Sequence, residues 1–170
     1  MKILISGTFS SGKTTLAESL AGINTGFVLL PEKASSLKRV FPDLQWDAKY
    51  IRHYLFVDQL FSEELMSNDK RIIICDSGIE YVLAHDLYYF NYANYELIES
   101  FRHKRYDQVF FCSYTEVPLV DNGIRNTDRI MRKEINTLII KVLKELNYSY
   151  TEVKGSITER VDKIIKTLDI

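Results

Sequence analysis

Five short segments rich in β-branched and aromatic residues recur along the chain: Lys2–Ser6, Phe27–Pro31, Arg71–Asp76, Gln108–Ser113 and Tyr148–Val153. Most are continuous apolar runs rather than alternating ones, which is the pattern of strands covered on both faces. Between them the spacing predicts helices over Thr14–Ala21, Asp47–Met66, Gly78–Phe90, Tyr95–Lys104, Asp128–Leu146 and Thr158–Leu168. In the second of these the apolar positions are Tyr50, Tyr54, Leu55, Val57, Phe61 and Leu65. In the fifth, Ile130, Met131, Ile135, Leu138, Ile139, Val142 and Leu146 fall along one face. Strands alternating with helices imply an α/β fold of three layers, a parallel sheet with helices on both sides. No composition break, repeat or low-complexity stretch divides the chain, so residues 1–170 are expected to form one domain.

Gly7-Thr8-Phe9-Ser10-Ser11-Gly12-Lys13-Thr14 matches G-x-x-x-x-G-K-[ST] at every fixed position. The loop follows the apolar run KILIS and precedes TTLAESL, and strand, glycine loop, helix is the context this phosphate-binding motif requires. Glycines let the backbone wrap a phosphate closely, and the helix N-terminus behind the loop adds partial positive charge. Residues Gly7 to Thr15 are therefore expected to hold the phosphates of ATP. Lys13 would reach the β- and γ-phosphates, and the Thr14 hydroxyl would ligate Mg²⁺.

Ligands of open α/β sheets sit at the C-terminal ends of the strands. Glu32 follows the second strand and Asp76 ends the third. Phosphoryl transfer needs Mg²⁺ held in place and an acceptor hydroxyl oriented. Asp76 suits the first task, and Glu32 suits the second. Downstream lies Asp121-Asn122-Gly123-Ile124-Arg125-Asn126-Thr127-Asp128-Arg129-Ile130-Met131-Arg132, with Thr127 as a candidate N-cap. Arg125, Arg129 and Arg132 are spaced i, i+4 and i+7, one face of a helix that starts early. Arginines over a phosphate site would neutralise charge developing in transfer, and Arg125 and Arg129 are the preferred pair.

On the acceptor side, Arg52, His53, Gln59, Glu80, Tyr81 and His85 are candidates, with Arg52, Gln59 and Tyr81 the leading substrate contacts. A Gln amide can pair with a base edge, and an aromatic ring can stack on a flat heterocycle. Trp46 could stack in the same way, although half-buried packing is the more common role.

The formal charge of -1 removes any overall basic field, which argues against a general nucleic-acid binder or an anionic-membrane protein. No apolar run approaches membrane-spanning length, and MKILISG reads as a first strand rather than a signal peptide, so a cytoplasmic location is expected. Cys75 and Cys112 each close a strand-like run, which marks them as small buried hydrophobes rather than a disulfide or metal pair.

With GTFSSGKTT, the acid of LLPE, the strand-end acid of IICDSG and the segment VPLVDNGIRNTDR, the sequence resembles the P-loop kinases of the nicotinamide riboside kinase type found in NadR-like proteins. It is similar, more broadly, to small nucleoside and nucleotide kinases. Gln59 and Glu63 look like that family's Q-x-x-x-E, residues 119–132 like its lid, and Glu152 to Ser156 with Lys154 like its adenine-side loop. The resemblance implies a five-stranded sheet of order 2-3-1-4-5, ATP as donor and a small nucleoside-like acceptor. The chain departs from that pattern at Lys33-Ala34-Ser35-Ser36, at Leu119 and at Gly78, positions that touch acceptor handling. The expected activity is ATP- and Mg²⁺-dependent transfer to an acceptor hydroxyl. A nucleoside monophosphate kinase, with Arg52 or Lys33 and Arg39 holding a second phosphate, and a regulatory nucleotide-binding NTPase are the alternatives.

Overall fold

The computed structural model describes residues 1–45, 47–95, 106–119 and 127–170. In it the apolar runs form β1 (Lys2–Ser6), β2 (Phe27–Leu30), β3 (Ile72–Asp76), β4 (Gln108–Cys112) and β5 (Thr151–Val153). All pair in parallel in the order β2-β3-β1-β4-β5, as expected. Around the sheet lie α1 (Lys13–Ala21), α2 (Lys33–Val40), α3 (Lys49–Leu65), α4 (Ile79–Phe90), α5 (Arg129–Glu145) and α6 (Ile157–Leu168).

The strands lack alternation because both faces are covered. Ile3, Ile5, Ile74, Phe110, Cys112 and Val153 face Leu16, Ala17 and Leu20 of α1 and Ile164 of α6. Their neighbours Leu4, Ile73, Cys75, Val109 and Phe111 point the other way, against α3, α4 and α5. Each such aliphatic side chain removed from water stabilises the fold by about 1.5–3 kcal/mol. Both cysteines are free and buried, as their setting implied.

Three expectations need correction. Helix α2 escapes the periodicity because it is eight residues long, with only Ala34, Leu37 and Val40 apolar and none of them fully buried. The apolar stripe expected to seat α3 faces outward instead: Tyr50, Tyr54, Val57, Phe61 and Leu65 are exposed, while Ile51, Leu55, Phe56 and Leu60 are buried. Helix α5 is capped by Asp128, not Thr127; its carboxylate accepts from the Ile130 and Met131 N–H groups at 2.7 and 3.1 Å. Beginning there, α5 turns Ile130 into solvent and Met131 and Ile135 into the core. The helix expected over Tyr95–Lys104 falls outside the described residues except for Tyr95.

The turn from β3 into α4 explains Gly78. A Cβ there would lie 2.0 Å from the Tyr106 hydroxyl, which donates to Glu63 Oε1 at 2.7 Å and accepts from the Ile79 N–H at 3.1 Å. Neither Tyr106 nor its partners can move without leaving a buried polar group unmatched. Gly78→Ala is therefore expected to destabilise the protein by about 1–3 kcal/mol, the range for overpacking, read as a lower urea midpoint at unchanged slope.

Candidate active site

The phosphate loop is the turn between β1 and α1. Gly7 (φ 136°) and Gly12 (φ 84°) supply left-handed backbone, and a Cβ on Gly7 would meet the Cys112 carbonyl at 2.8 Å. The loop's carbonyls are held by cations from three directions. Lys13 Nζ donates to Thr8 O at 2.8 Å, and Arg132 donates to Phe9 O at 3.2 Å and Ser10 O at 2.6 Å. Arg160 donates to Ser11 O at 2.8 Å. With four successive carbonyls engaged this way, the backbone N–H groups and the first turn of α1 remain for an anion. The Ser10 and Ser11 hydroxyls are buried without a hydrogen-bond partner, an arrangement that folded proteins rarely leave unfilled.

Asp76 closes β3 beside this loop, its Cα in register with Ile5. Burial raises its pKa, and Lys13 and a hydrogen bond with Thr14 pull it back. Oδ1 of Asp76 and Oγ of Ser77 are also buried and unpartnered. Among the described residues no group of three His, Cys, Asp or Glu could cage a metal alone. Thr14 and Asp76 could hold Mg²⁺, which is ordinarily bound by one or two protein oxygens together with substrate phosphates. The orphaned carboxylate oxygen fits such an ion.

Across the loop, one cleft is lined by residues 9–14 and by Glu32, Lys38, Arg52, Tyr81, His85 and Tyr89. Glu32 is the N-cap residue of α2, and its carboxylate accepts from the Ser35 hydroxyl. The Tyr81 ring lies under the Lys13 ammonium at 4.9 Å and against His85 at 4.4 Å between centroids. Burial drives the His85 pKa down to about 3, with Arg52 adding to the effect, so the ring is neutral at physiological pH. Arg52 donates to Asp86 at 2.8 Å and to the Val82 carbonyl at 2.6 Å, which fixes its guanidinium at the cleft wall. Burial lowers the Lys38 pKa, opposed by Glu32 and reinforced by Arg52. Gln59 lines a smaller recess with Arg52 and Tyr81, and its amide donates to Glu63 Oε1 at 2.7 Å. Glu80 sits under the loop, accepting from the Ser6 hydroxyl at 2.9 Å; burial pushes its pKa up to about 7.

The structure thus brings together Gly7, Thr8, Phe9, Ser10, Ser11, Gly12, Lys13, Thr14, Glu32, Asp76, Arg52, Tyr81 and Gln59. Thr15 is exposed at the first turn of α1. Arg129 is exposed and lines a groove with Leu87 and Tyr88, away from the cleft. Lys154 is exposed and paired with Glu152 at 3.0 Å. His53 is also exposed, and Arg125 and Trp46 lie outside the described residues. Lys38 had no sequence signal, and neither did the bracing roles of Arg132 and Arg160. Their positions were visible, but the carbonyls they hold lie more than a hundred residues away.

Residues 2–160 match the model of a family described as AAA domain, and the chain belongs to that family. No curated protein matches the sequence. The fold is that of P-loop kinases. A NadR protein in complex with NR aligns with TM-score 0.76 at 19% identity, covering 99% of this chain and 52% of that one. A deoxyadenosine kinase from M. mycoides with bound dATP aligns with TM-score 0.67 at 16% identity over 100% of both chains. A thymidylate kinase from Ehrlichia chaffeensis aligns with TM-score 0.64 at 19% identity over 99% and 98%.

Two outcomes follow from this geometry. Arg132→Met releases the Phe9 and Ser10 carbonyls, so binding of a fluorescent ATP analogue is expected to weaken about tenfold or more, the effect of one lost charge-assisted bond. Glu80 titrates near 7 when folded and 4.5 as the reference value, so ionising it destabilises the fold progressively as pH rises through that window. Glu80→Gln should gain stability over the parent from about pH 4.5 to 7, by up to about 1.4 kcal/mol per pH unit, then level off. The depressed His85 acts in the opposite direction, with stability lost as pH falls from 6.5 towards 3. It is common to both proteins and cancels from the difference between their urea-unfolding curves.

Proposed function

We propose that this chain is an ATP- and Mg²⁺-dependent kinase that transfers the γ-phosphoryl group to a hydroxyl of a small nucleoside-like acceptor, acting as a single domain. The observation that carries the reading is the cluster of unsatisfied buried oxygens, from Ser10, Ser11, Asp76 and Ser77, around a loop whose carbonyls are engaged. Such a constellation suits a ligand that brings both negative charge and a cation. Mg²⁺ bound with ATP would neutralise the phosphates and orient them in line with the acceptor.

The protein's share of the work is positioning and electrostatics. Lys13 would leave the Thr8 carbonyl for the β- and γ-phosphates, while the loop N–H groups hold the donor still. Thr14 and Asp76 would hold the metal. Glu32, at the mouth of the cleft, would accept a hydrogen bond from the acceptor hydroxyl and aim its oxygen at phosphorus. Tyr81 offers an aromatic face for a flat acceptor, and neutral His85 behind it adds no charge. The likeness in fold to NadR and to deoxyadenosine and thymidylate kinases supports a nucleoside-type acceptor. Lys38 and Arg52, both lining the cleft, favour a second reading in which the acceptor is a nucleoside monophosphate. Arg125 and Arg129 are kept as proposed lid cations.

ADP release from Mg-ATP with nicotinamide riboside, ribo- and deoxyribonucleosides, their monophosphates, or no acceptor tests this directly. Strong stimulation by one nucleoside is expected, and stimulation by monophosphates alone would move the assignment to the second reading. ATP binding with no acceptor dependence would instead indicate a regulatory NTPase. Lys13→Ala should lower the stimulated rate by about a hundredfold or more. Arg129→Ala with full rate and unchanged ATP affinity would remove that residue from the lid.

A further inference from the structure

Helix α3 is inside out. Its inward face carries Arg52, Gln59 and Glu63, all buried, beside Ile51, Leu55, Phe56 and Leu60. Its outward face carries Tyr50, Tyr54, Val57, Phe61 and Leu65, which are 45% to 68% exposed. These five recur at helical spacing and make one straight stripe about 22 Å long at 1.5 Å per residue. A surface helix of a monomer places charge outward and its apolar stripe inward. Scattered apolar residues on a surface are ordinary, but a continuous stripe at the scale of the largest monomer patches is often a functional surface.

We propose that the stripe is a self-association surface, with α3 of one copy packed antiparallel against α3 of a second copy about a two-fold axis beside Val57. The order of residues makes the stripe complementary to itself, as a two-fold interface requires. With Val57 placed against Val57, Tyr54 of one copy falls opposite Phe61 of the other, and Tyr50 opposite Leu65. Large meets large along the whole length, with two aromatic pairs flanking the axis. The edges also match in hydrogen bonding: the exposed His53 of one copy lies near the exposed Glu64 of the other, where an imidazole N–H can donate to a carboxylate. The opposite edge is covered by α2, where Lys33 pairs with Asp58 at 3.7 Å.

Area supports the same occupant. At about 200 Å² for a large aromatic side chain, the exposed parts of the stripe amount to on the order of 500 Å² per copy. Two copies that cover the stripe fully bury about 1,000 Å², the floor for a specific interface and the size of a weak, concentration-dependent dimer.

The test is the mass of the full chain by light scattering after size exclusion, over micromolar to hundred-micromolar loading. A mass of two chains is expected, falling to one in Tyr54→Glu and Phe61→Glu with the far-UV circular dichroism unchanged. Ile130→Glu, a change at an exposed apolar residue of α5, should leave the mass at two chains. Register is read separately from Val57→Cys treated with diamide, because Cys75 and Cys112 are buried and do not compete. Covalent dimer from Val57→Cys and not from Ile130→Cys is expected. A parent that stays monomeric throughout overturns the proposal. So does a dimer that survives both glutamate variants, or one that cross-links through position 130 and not 57.

Discussion

Everything at the ligand end of this fold depends on how the carbonyls of residues 8 to 11 are held. A loop of that tightness cannot satisfy its own backbone, and carbonyls turned inward would repel the phosphates it is shaped to take. Two buried arginines prevent this from opposite sides of the sheet. Arg132 reaches in from α5 on one face, and Arg160 from α6 on the other. Each guanidinium is itself a charge removed from water, tolerable because its donors end on carbonyls of fixed position. Arg132 also donates to Tyr114 O and Val117 O, and Arg160 to Gly155 O. The loops after β4 and β5 are thereby fastened to the phosphate loop, so the cleft is one braced unit.

The electrostatics of the cleft follow from the same bracing. Positive charge comes from Lys13, Lys38 and Arg52, and negative charge from Glu32 and Asp76, with Asp86 pairing Arg52 from behind. Of the two acids facing the cleft, Asp76 is the one that burial penalises, with Lys13 and Thr14 offsetting it only in part. An additional cation at Oδ1 would relieve that penalty, which is why the residues fit a metal–phosphate ligand better than a bare anion. His85 contributes no charge at physiological pH, since burial and three nearby cations oppose its protonation.

What the sequence made legible is what lies close together in it. The phosphate loop is eight consecutive residues, and the central strands announce themselves because both of their faces are buried. Contacts between distant residues left no such trace: Arg132 meets Ser10 across a separation of 122, and its neighbour Arg129, equally basic, faces a different groove. The buried stripe decided which was which: Met131, Ile135, Ile139 and Val142 face the core, which carries position 132 inward and leaves 129 exposed. Helix α2 left little trace for a different reason: its eight residues include only Ala34, Leu37 and Val40 as apolar positions, none fully buried, too short a pattern to stand out.

Helix α3 shows where periodicity reasoning fails on its own terms. It carries two apolar series, one through Ile51, Leu55, Phe56 and Leu60 and one through Tyr50, Tyr54, Val57, Phe61 and Leu65. Either satisfies a 3.6-residue period, and the second is the longer and the more aromatic. The tie is broken by the polar residues. Arg52 needs Asp86 and the Val82 carbonyl, and Glu63 needs Gln59 and Tyr106. Asp86 and Val82 lie on α4 and the Tyr106 hydroxyl bonds its first N–H, so the face bearing the charges must turn inward. A buried ion pair or carboxylate without its partners would destabilise the fold by more than a few apolar side chains left in water. Specific polar partners therefore override the stronger apolar stripe, and a surface that the hydrophobic pattern alone would have assigned to the core is left outside for another use.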